Sequence, residues 1–287
     1  MKPDARFLKL PKTFWAYVRT ISEECGYTTR GAGTVKIPDI SEVTTALANR
    51  GLDASDVLAQ DGNPAQLGKL LSDYFTFRAT ALNKYVEPRL MNAAQAKQRY
   101  NRIRRQFKTT KVNIPWNKQK GAKKAPAYLT AIVAILVRAY APDFPCDLDP
   151  RSLTTVTAGG KPLRTLARRV DGAFPGTINP IAVWEIKEYY YTTTFGSRVA
   201  DGVYESLLDG MELEELREHE GVDVKHYLII DAHYTWWECG RWYLCRIMDM
   251  LHMGYVDEVL FGSEVVERLP AMVKEWVRIV KERQQKN

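Results

Sequence analysis

The segment at residues 125–141 constrains the fold most, because it is apolar on nearly every side of a predicted helix. Such a helix needs cover all round, and packing against the face of a sheet provides it. Directly after this segment the pattern changes to runs rich in Val, Ile, Thr, Tyr and Trp, which favour strands and are separated by turn residues. The chain is therefore predicted to have an α/β fold, with a mixed sheet flanked by helices.

Three consecutive strands are predicted after this helix, at residues 152–158, 165–170 and 180–192. The turns between them are Gly159-Gly160 and the run from Phe174 to Pro180. Helices and strands then alternate, which gives the order αβββαβαβα. The later elements are a helix at 197–219, a strand at 225–234, a helix at 241–253, a strand at 256–261 and a helix at 263–284.

The first third of the chain is predicted to be mainly helical. Apolar residues recur at helical spacing in residues 14–25 and 40–49, and a third helix is predicted at 66–91. Asp39 and Ser41 are capping residues for the second helix, and Gly51 ends it. A chain of 287 residues with 45% hydrophobic content can bury a sizeable core. We divide it into a helical, basic region at 1–120 and a core at 121–287.

The net charge of +7 conceals two parts of opposite sign. Residues 1–142 carry 24 Lys and Arg against 10 Asp and Glu, which gives +14, whereas residues 143–287 carry 17 against 24, which gives −7. The first part suits a polyanionic partner. The second suits a site that collects a divalent metal, although a solvated acidic surface gives the same count.

A long basic segment without any acidic residue lies between Glu87 and Asp143. Within it, Arg99, Arg102 and Arg105 stand three residues apart and line one face of a predicted helix, which a basic loop follows. Such a row can contact successive phosphates of a duplex, and a solvated charge run is the alternative interpretation. The residues of this segment predicted to bind DNA are Arg99, Arg102, Arg105, Lys118, Lys120, Lys123 and Lys124.

The candidate chemistry lies in residues 171–187. Side chains two apart in a strand share a face, so Glu185 and Lys187 point the same way. An antiparallel hairpin would bring Asp171 beside Glu185. Two carboxylates and the backbone carbonyl of Ile186 make an oxygen site of the kind that Mg²⁺ occupies while it keeps several waters. The alternative is an exposed cross-strand ion pair, worth at most about 1 kcal/mol.

Val170-Asp171, a hairpin and Glu185-Ile186-Lys187, within an αβββαβ succession, resemble the PD-(D/E)XK nuclease superfamily. Within it, a chain of this size is most similar to a type II restriction endonuclease. The resemblance covers residues 125–261 and implies a restriction-endonuclease-like core. It implies that Asp171 and Glu185 bind Mg²⁺, and that Lys187 orients or deprotonates the attacking water and offsets charge on the transition state.

The sequence departs from this superfamily at two places. Val170 stands where the motif has proline, and the helix at 125–141 lacks the glutamate that many members place there. A third metal ligand is therefore unassigned, because Asp143, Asp147 and Asp149 are near the right place but are predicted to be loop residues.

A second phosphate contact is predicted at the start of the helix at 197–219. There Ser197 is the expected cap, and Arg198 stands in the first turn. A helix N-terminus with a serine and an arginine can hold a phosphate.

These features predict a Mg²⁺-dependent, site-specific endonuclease that hydrolyses phosphodiester bonds of double-stranded DNA. A homodimer is expected, because a two-fold assembly presents two sites to the two strands. One alternative is a repair, recombination or defence nuclease of the same fold that reads DNA structure or modification. The other is a non-catalytic DNA-binding protein.

Other partners and compartments are disfavoured by the sequence. It contains no Walker motif, so no nucleotide cofactor is expected. No apolar run has the length of a membrane span or follows the pattern of a signal peptide, so no membrane partner is expected. The four cysteines are scattered and fit reduced thiols, so the expected location is the cytoplasm of a prokaryote.

Overall fold

Helices make up most of the first part of the chain, as predicted. The computed structural model describes residues 1–8, 10–29, 31–108, 110–118, 124–192 and 195–286. The first four helices are α1 (Lys12–Cys25), α2 (Ile40–Asn49), α3 (Gln66–Thr80) and α4 (Ala93–Gln106). A π-helical turn at Ala81–Val86 and a 3₁₀ turn at Glu87–Arg89 follow α3, so the single helix predicted at 66–91 is divided into three segments.

The start of α2 confirms Asp39 as its cap. The Asp39 side chain accepts a hydrogen bond from the Glu42 amide at 2.8 Å, and the Glu42 side chain accepts one from the Asp39 amide at 3.1 Å. This reciprocal pair satisfies two amides at the helix end. Ser41 lies inside the helix and is not its cap.

Two short hairpins flank the fifth helix. The first pairs β1 (Trp116–Lys118) with β2 (Lys124–Pro126), and α5 (Tyr128–Tyr140) follows it. The second pairs β3 (Thr155–Ala158) with β4 (Lys161–Thr165). The basic loop predicted after Arg105 is therefore partly a strand pair. Lys118 and Lys124 lie in its two strands, and Lys120 and Lys123 lie outside the described residues.

The centre of the protein is a mixed four-stranded sheet. Its strands, in order across the sheet, are β5 (Gly172–Phe174), β6 (Ala182–Glu188), β7 (Lys225–Asp231) and β8 (Glu258–Phe261). β5 runs antiparallel to β6, whereas β6, β7 and β8 are mutually parallel. The connections between the parallel strands contain α6 (Ser197–Glu220) and α7 (Arg241–His252), and α8 (Glu264–Lys286) ends the chain. The predicted mixed α/β class is confirmed.

Helices cover both faces of this sheet. On one face, α5 and α8 pack against β6, and Trp184 stacks on Trp276 of α8 with ring centroids 5.5 Å apart. On the other face, α6, α7 and the turn after α3 pack against Leu228 and Ile230 of β7. Among the described residues, no helix is both long and apolar enough to cross a membrane.

The strand predicted at 165–170 is wrong. Gly159 and Gly160 both have positive φ, of 54° and 77°, and form a two-residue turn that pairs Ala158 directly with Lys161. The return strand must therefore begin at once, and it has ended by Thr165. The strand Gly172–Phe174 was not predicted, because it lies next to turn residues. Among the residues that the structure describes between α5 and α6, four strands are present rather than three.

Candidate functional site

The pairing of β5 with β6 brings Asp171 beside Glu185, as predicted. The Asp171 amide donates to the Trp184 carbonyl at 3.1 Å and to Glu185 Oε1 at 3.2 Å. In return, Asp171 Oδ2 accepts from the Ile186 amide at 2.7 Å. Gly172 makes this pairing possible, because a Cβ atom there would lie 2.0 Å from the Trp184 ring.

Glu185 and Lys187 share the face of β6 that is turned toward α6. Glu185 is completely buried, and Lys187 Nζ lies 2.7 Å from Glu185 Oε2. The backbone of Lys187 is held by Trp236, whose indole donates to its carbonyl at 3.3 Å. Glu185 and Lys187 do not fit the alternative of an exposed cross-strand ion pair, because they lie on one strand and both side chains are buried, whereas Asp171 is exposed.

Three further charged residues complete the group and were missed in the sequence. Arg168, in the segment between β4 and β5, contacts Glu185, and both Glu205 and Asp209 reach it from α6. Lys187 also contacts Glu205, at 3.0 Å. The available signal was the spacing of Glu205 and Asp209, which are four apart and therefore share a helix face.

We call Asp171, Glu185, Glu205 and Asp209 the carboxylate cluster. With Arg168 and Lys187 it has four acidic and two basic side chains, a net charge of −2 when all are ionised. Asp171 is open to solvent on one side, yet desolvation by the surrounding protein and then the charge of Glu185 raise its pKa to about 6. Burial raises the pKa of Asp209 to about 7. The cluster has an excess of negative charge only when all four carboxyls are ionised, and the raised pKa values of Asp171 and Asp209 reduce this excess near neutral pH.

The two residues at the centre of the cluster are both ionised. Burial opposes charge on Glu185, but Lys187 and Arg168 outweigh it and lower the pKa of this carboxyl. Burial likewise opposes charge on Lys187, but Glu185 and Asp171 raise the pKa of its ammonium group. Lys187 is therefore a fixed positive charge in this arrangement, which suits electrostatic stabilisation better than proton abstraction.

The carboxylates of this site are oxygen donors, the ligand type that Mg²⁺ takes in proteins. Within the described part of the chain, no group of three His, Cys, Asp or Glu side chains is arranged to hold a metal. Asp171 and Glu185 lie beside each other where β5 pairs with β6. Mg²⁺ commonly uses one or two carboxylates, several waters and substrate phosphates. In the described chain, Asp171 Oδ1 has no hydrogen bond, and the buried Asp209 Oδ1 has no partner either. Each of these two oxygens is thus open to a further hydrogen-bond donor or a cation.

The loop acids considered as a third ligand do not join the cluster. Asp147 Oδ1 accepts from the Asp149 amide at 3.3 Å, and Asp149 pairs with Arg151 at 2.6 Å on the surface. Asp143 is exposed. The further acidic side chains that share Arg168 and Lys187 with Glu185 come instead from α6.

The predicted row of arginines lies on the outer side of α4. Ala96, Tyr100 and Ile103 bury the inner side against α5, which leaves Arg102 and Arg105 exposed and Arg99 half-buried. The amide of Met91, just before α4, donates to Asp231 at the end of β7 at 2.7 Å. The helix therefore begins at the carboxyl edge of the parallel strands.

The predicted cap at Ser197 is wrong. Gly196 occupies the cap position of α6, and within the described residues no side chain forms a capping hydrogen bond there. Ser197 is the first helical residue, is exposed, and is followed by Arg198 in the first turn. The helix N-terminus therefore lacks the serine cap that was expected there. Phosphate binding by Ser197 and Arg198 stays a prediction.

A second pair of acids lies on the opposite face of the sheet. Glu188 and Asp231 are register partners at the ends of β6 and β7, and both are buried. Glu188 Oε2 accepts from the Thr130 amide and hydroxyl, each at 3.0 Å, while its Oε1 has no partner in the described chain. Burial raises the pKa of each carboxyl to about 7. The protonated forms are therefore favoured in the fold.

We expect Glu188→Gln to stabilise the protein at pH 8 but not at pH 4. The folded pKa of about 7 lies above the unfolded value of about 4, so the cost of burying Glu188 is absent below pH 4 and grows until pH 7. Glutamine imitates the protonated form, and the expected gain at pH 8 is on the order of 2 kcal/mol. Denaturant unfolding at both pH values measures it. The exposed Glu267→Gln is the control, and an equal effect at both pH values would contradict the assignment.

Two family profiles match the chain. One, described as Domain of unknown function (DUF7690), matches residues 1–85, and the other, described as Domain of unknown function (DUF7687), matches residues 91–276. The second match contains α4, the whole central sheet and the carboxylate cluster. No curated protein and no solved structure matches the chain. Because the second match spans more than half of the sequence, the protein belongs to the DUF7687 family.

Proposed function

We propose that this protein is a Mg²⁺-dependent endonuclease of double-stranded DNA, with Asp171, Glu185 and Lys187 at its active site. The observation that carries the proposal is the convergence of these three side chains where β5 pairs with β6. Two acids and a lysine, held by neighbouring strands beside further carboxylates, provide the charges that phosphodiester hydrolysis needs.

The residues of β6 and the segment before β5 would hold the metal. Asp171 and Glu185 would be its carboxylate ligands, with the carbonyl of Ile186 as a third oxygen. Bound Mg²⁺ would lower the pKa of a water and polarise a phosphate oxygen. Lys187 would orient the attacking water and offset the negative charge that develops on the phosphate. Gly202 of α6 leaves room for the Lys187 side chain, because a Cβ atom at residue 202 would lie 3.1 Å from it.

The basic segment would hold the duplex next to this site. The β1–β2 hairpin leads directly into α5, where Thr130 contacts Glu188 on the face of the sheet opposite Glu185 and Lys187. The duplex would therefore reach the site around the carboxyl edge of β6. Trp116 of this hairpin is 56% exposed, so an aromatic ring is available beside the basic residues. Phosphates would be held by Arg99, Arg102 and Arg105 of α4, by Lys118, Lys120, Lys123 and Lys124, and by Ser197 and Arg198.

The finer proposals follow from the resemblance. In the sheet, β6 lies between β5 and β7, and the chain passes from β6 to β7 through α6. This order of strands supports a restriction-endonuclease-like core. With that core we propose a homodimer that cuts both strands at a specific sequence, in the cytoplasm of a prokaryote.

Incubation of the protein with plasmid DNA tests the proposal. In Mg²⁺ we expect double-strand breaks whose sequenced ends share a common motif, and in EDTA we expect intact plasmid. Breaks without a common motif, or breaks only at junctions or modified bases, would favour a nuclease that reads structure or modification. Intact DNA in Mg²⁺ and in Mn²⁺ would overturn the proposed activity.

A non-catalytic DNA-binding protein is the second candidate. One observation favours it: both oxygens of Glu185 already contact Arg168 and Lys187, so the cluster is held together by ion pairs without a metal. In that case DNA would bind with the same affinity in Mg²⁺ and in EDTA, and no plasmid would be cut.

We expect Arg102→Glu to weaken DNA binding on all sequences alike. Arg102 is exposed on α4, and loss of a phosphate contact reduces counterion release, so the slope of log K against log salt should fall by about 1 to 2. Fluorescence anisotropy with duplex DNA at several salt concentrations measures this slope. The control is Lys69→Glu, which reverses an exposed charge on α3. If both variants had the same salt slope, α4 would not be part of the surface that binds DNA.

A further inference from the structure

Arg168 holds both oxygens of Glu185, one of the two carboxylates proposed as metal ligands. Its guanidinium contacts Glu185 Oε1 at 2.9 Å, Asp209 Oδ2 at 2.6 Å and Glu205 Oε2 at 3.3 Å. A second nitrogen, Nη2, contacts Glu185 Oε2 at 3.1 Å. One cation therefore joins three carboxylates from two elements of the fold, and it engages both oxygens of Glu185.

We infer that Arg168 is a displaceable counter-ion, which must release Glu185 before a metal can bind there and which thereby sets the metal affinity of the site. This inference rests on the proposed function. An arginine keeps its charge at any pH a protein meets, so Arg168 must leave by movement and not by deprotonation. A guanidinium that stayed on Glu185 would repel the metal across a few ångströms.

The surroundings of Arg168 allow such a movement. It lies in the segment 166–171, which forms neither helix nor strand, and its side chain is partly exposed to solvent. Leu166 and Val170 are buried on either side and anchor the segment, so the movement is confined to the Arg168 side chain.

A position for the released guanidinium already exists on α6. Asp209 is completely buried and gives only Oδ2 to Arg168, while its Oδ1 has no partner in the described chain. Glu205, whose side chain is 42% exposed, offers another contact. After Glu185 is released, Arg168 can therefore hold both oxygens of Asp209 in the two-bond geometry that guanidinium and carboxylate groups favour.

Calorimetric titration of Mn²⁺ and Mg²⁺ into the DNA-free protein tests the inference. We expect Arg168→Gln to bind either metal at least about tenfold more tightly than the wild type, because the competing charge is gone. Arg164→Gln is the matched control: Arg164 pairs with Glu212 and Glu215 of α6, outside the cluster, and its variant should bind metal like the wild type. An Arg168→Gln affinity equal to or weaker than the wild type would overturn the inference.

A measurement on the wild type covers the case in which Arg168→Gln does not fold. In NMR spectra of the arginine side chains, the guanidinium protons of Arg168 should exchange slowly with water when no metal is present. Addition of Mg²⁺, without any Mn²⁺, should shift the Arg168 signal. A signal that Mg²⁺ leaves unchanged while calorimetry shows binding would overturn the counter-ion role and leave the proposed function standing. If neither the wild type nor Arg168→Gln binds metal, the proposed function fails.

Discussion

Asp171→Asn is expected to lower Mg²⁺-dependent DNA cleavage by about a thousandfold or more. The substitution removes one of the two carboxylates proposed as metal ligands, and a loss of roughly 4 kcal/mol of transition-state stabilisation corresponds to that factor. The fold should survive, because the asparagine carbonyl can still accept the hydrogen bond that the Ile186 amide donates to Asp171. Single-turnover cleavage of a labelled duplex measures the rate.

The control for this substitution is Asp149→Asn, on the exposed loop that is outside the carboxylate cluster. It should cleave like the wild type. DNA binding by Asp171→Asn in EDTA should stay within a few-fold of the wild type, since Asp171 carries no positive charge toward the phosphates. Cleavage by Asp171→Asn at the wild-type rate would place the active site elsewhere.

The second large effect concerns stability. Arg78 of α3 and Asp249 of α7 form a buried ion pair at 3.0 Å, and Tyr74 donates to the same carboxylate at 2.6 Å. Arg78→Met leaves Asp249 buried without its counter-ion, which costs about 3–5 kcal/mol. The pair joins the segment matched by DUF7690 to the segment matched by DUF7687, so we expect both to unfold in one transition. Urea unfolding followed by circular dichroism measures the loss.

A double variant separates the lost charge from lost packing. Arg78→Met with Asp249→Leu removes both charges and should recover part of the stability, because an apolar pair of similar volume carries no desolvation cost. Arg278→Met, on the exposed side of α8 where Arg278 pairs with Glu275 and Glu282, should leave the unfolding midpoint unchanged. A wild-type midpoint for Arg78→Met would contradict the role of the ion pair.

The proximity of Asp171, Glu185 and Lys187 could be predicted because it depends on local geometry. Glu185 and Lys187 are two apart in one strand, and alternation alone puts them on one face. Asp171 required only one hairpin to be correct. The hydrophobic period likewise predicted α5, α6 and the parallel strands β7 and β8 to within a few residues.

The remainder depends on contacts between distant parts of the chain. Arg168 and α6 meet over Glu185 only after β5 and β6 have paired, and nothing in the local sequence around Arg168 distinguishes it from the neighbouring exposed Arg169. The burial of Lys187 depends on Gly202, which leaves the room its side chain needs. The β3–β4 hairpin was misplaced because the conformation of two glycines, and not the β propensity of residues 165–170, fixed its register.

Anomalous diffraction from crystals soaked in Mn²⁺ tests most directly whether the carboxylate cluster is a metal centre. We expect one strong peak within bonding distance of Asp171 and Glu185, with the Arg168 guanidinium released from Glu185 and held by Asp209 alone or with Glu205. Manganese bound only elsewhere, with Arg168 still on Glu185 in a protein that cleaves DNA, would contradict this expectation.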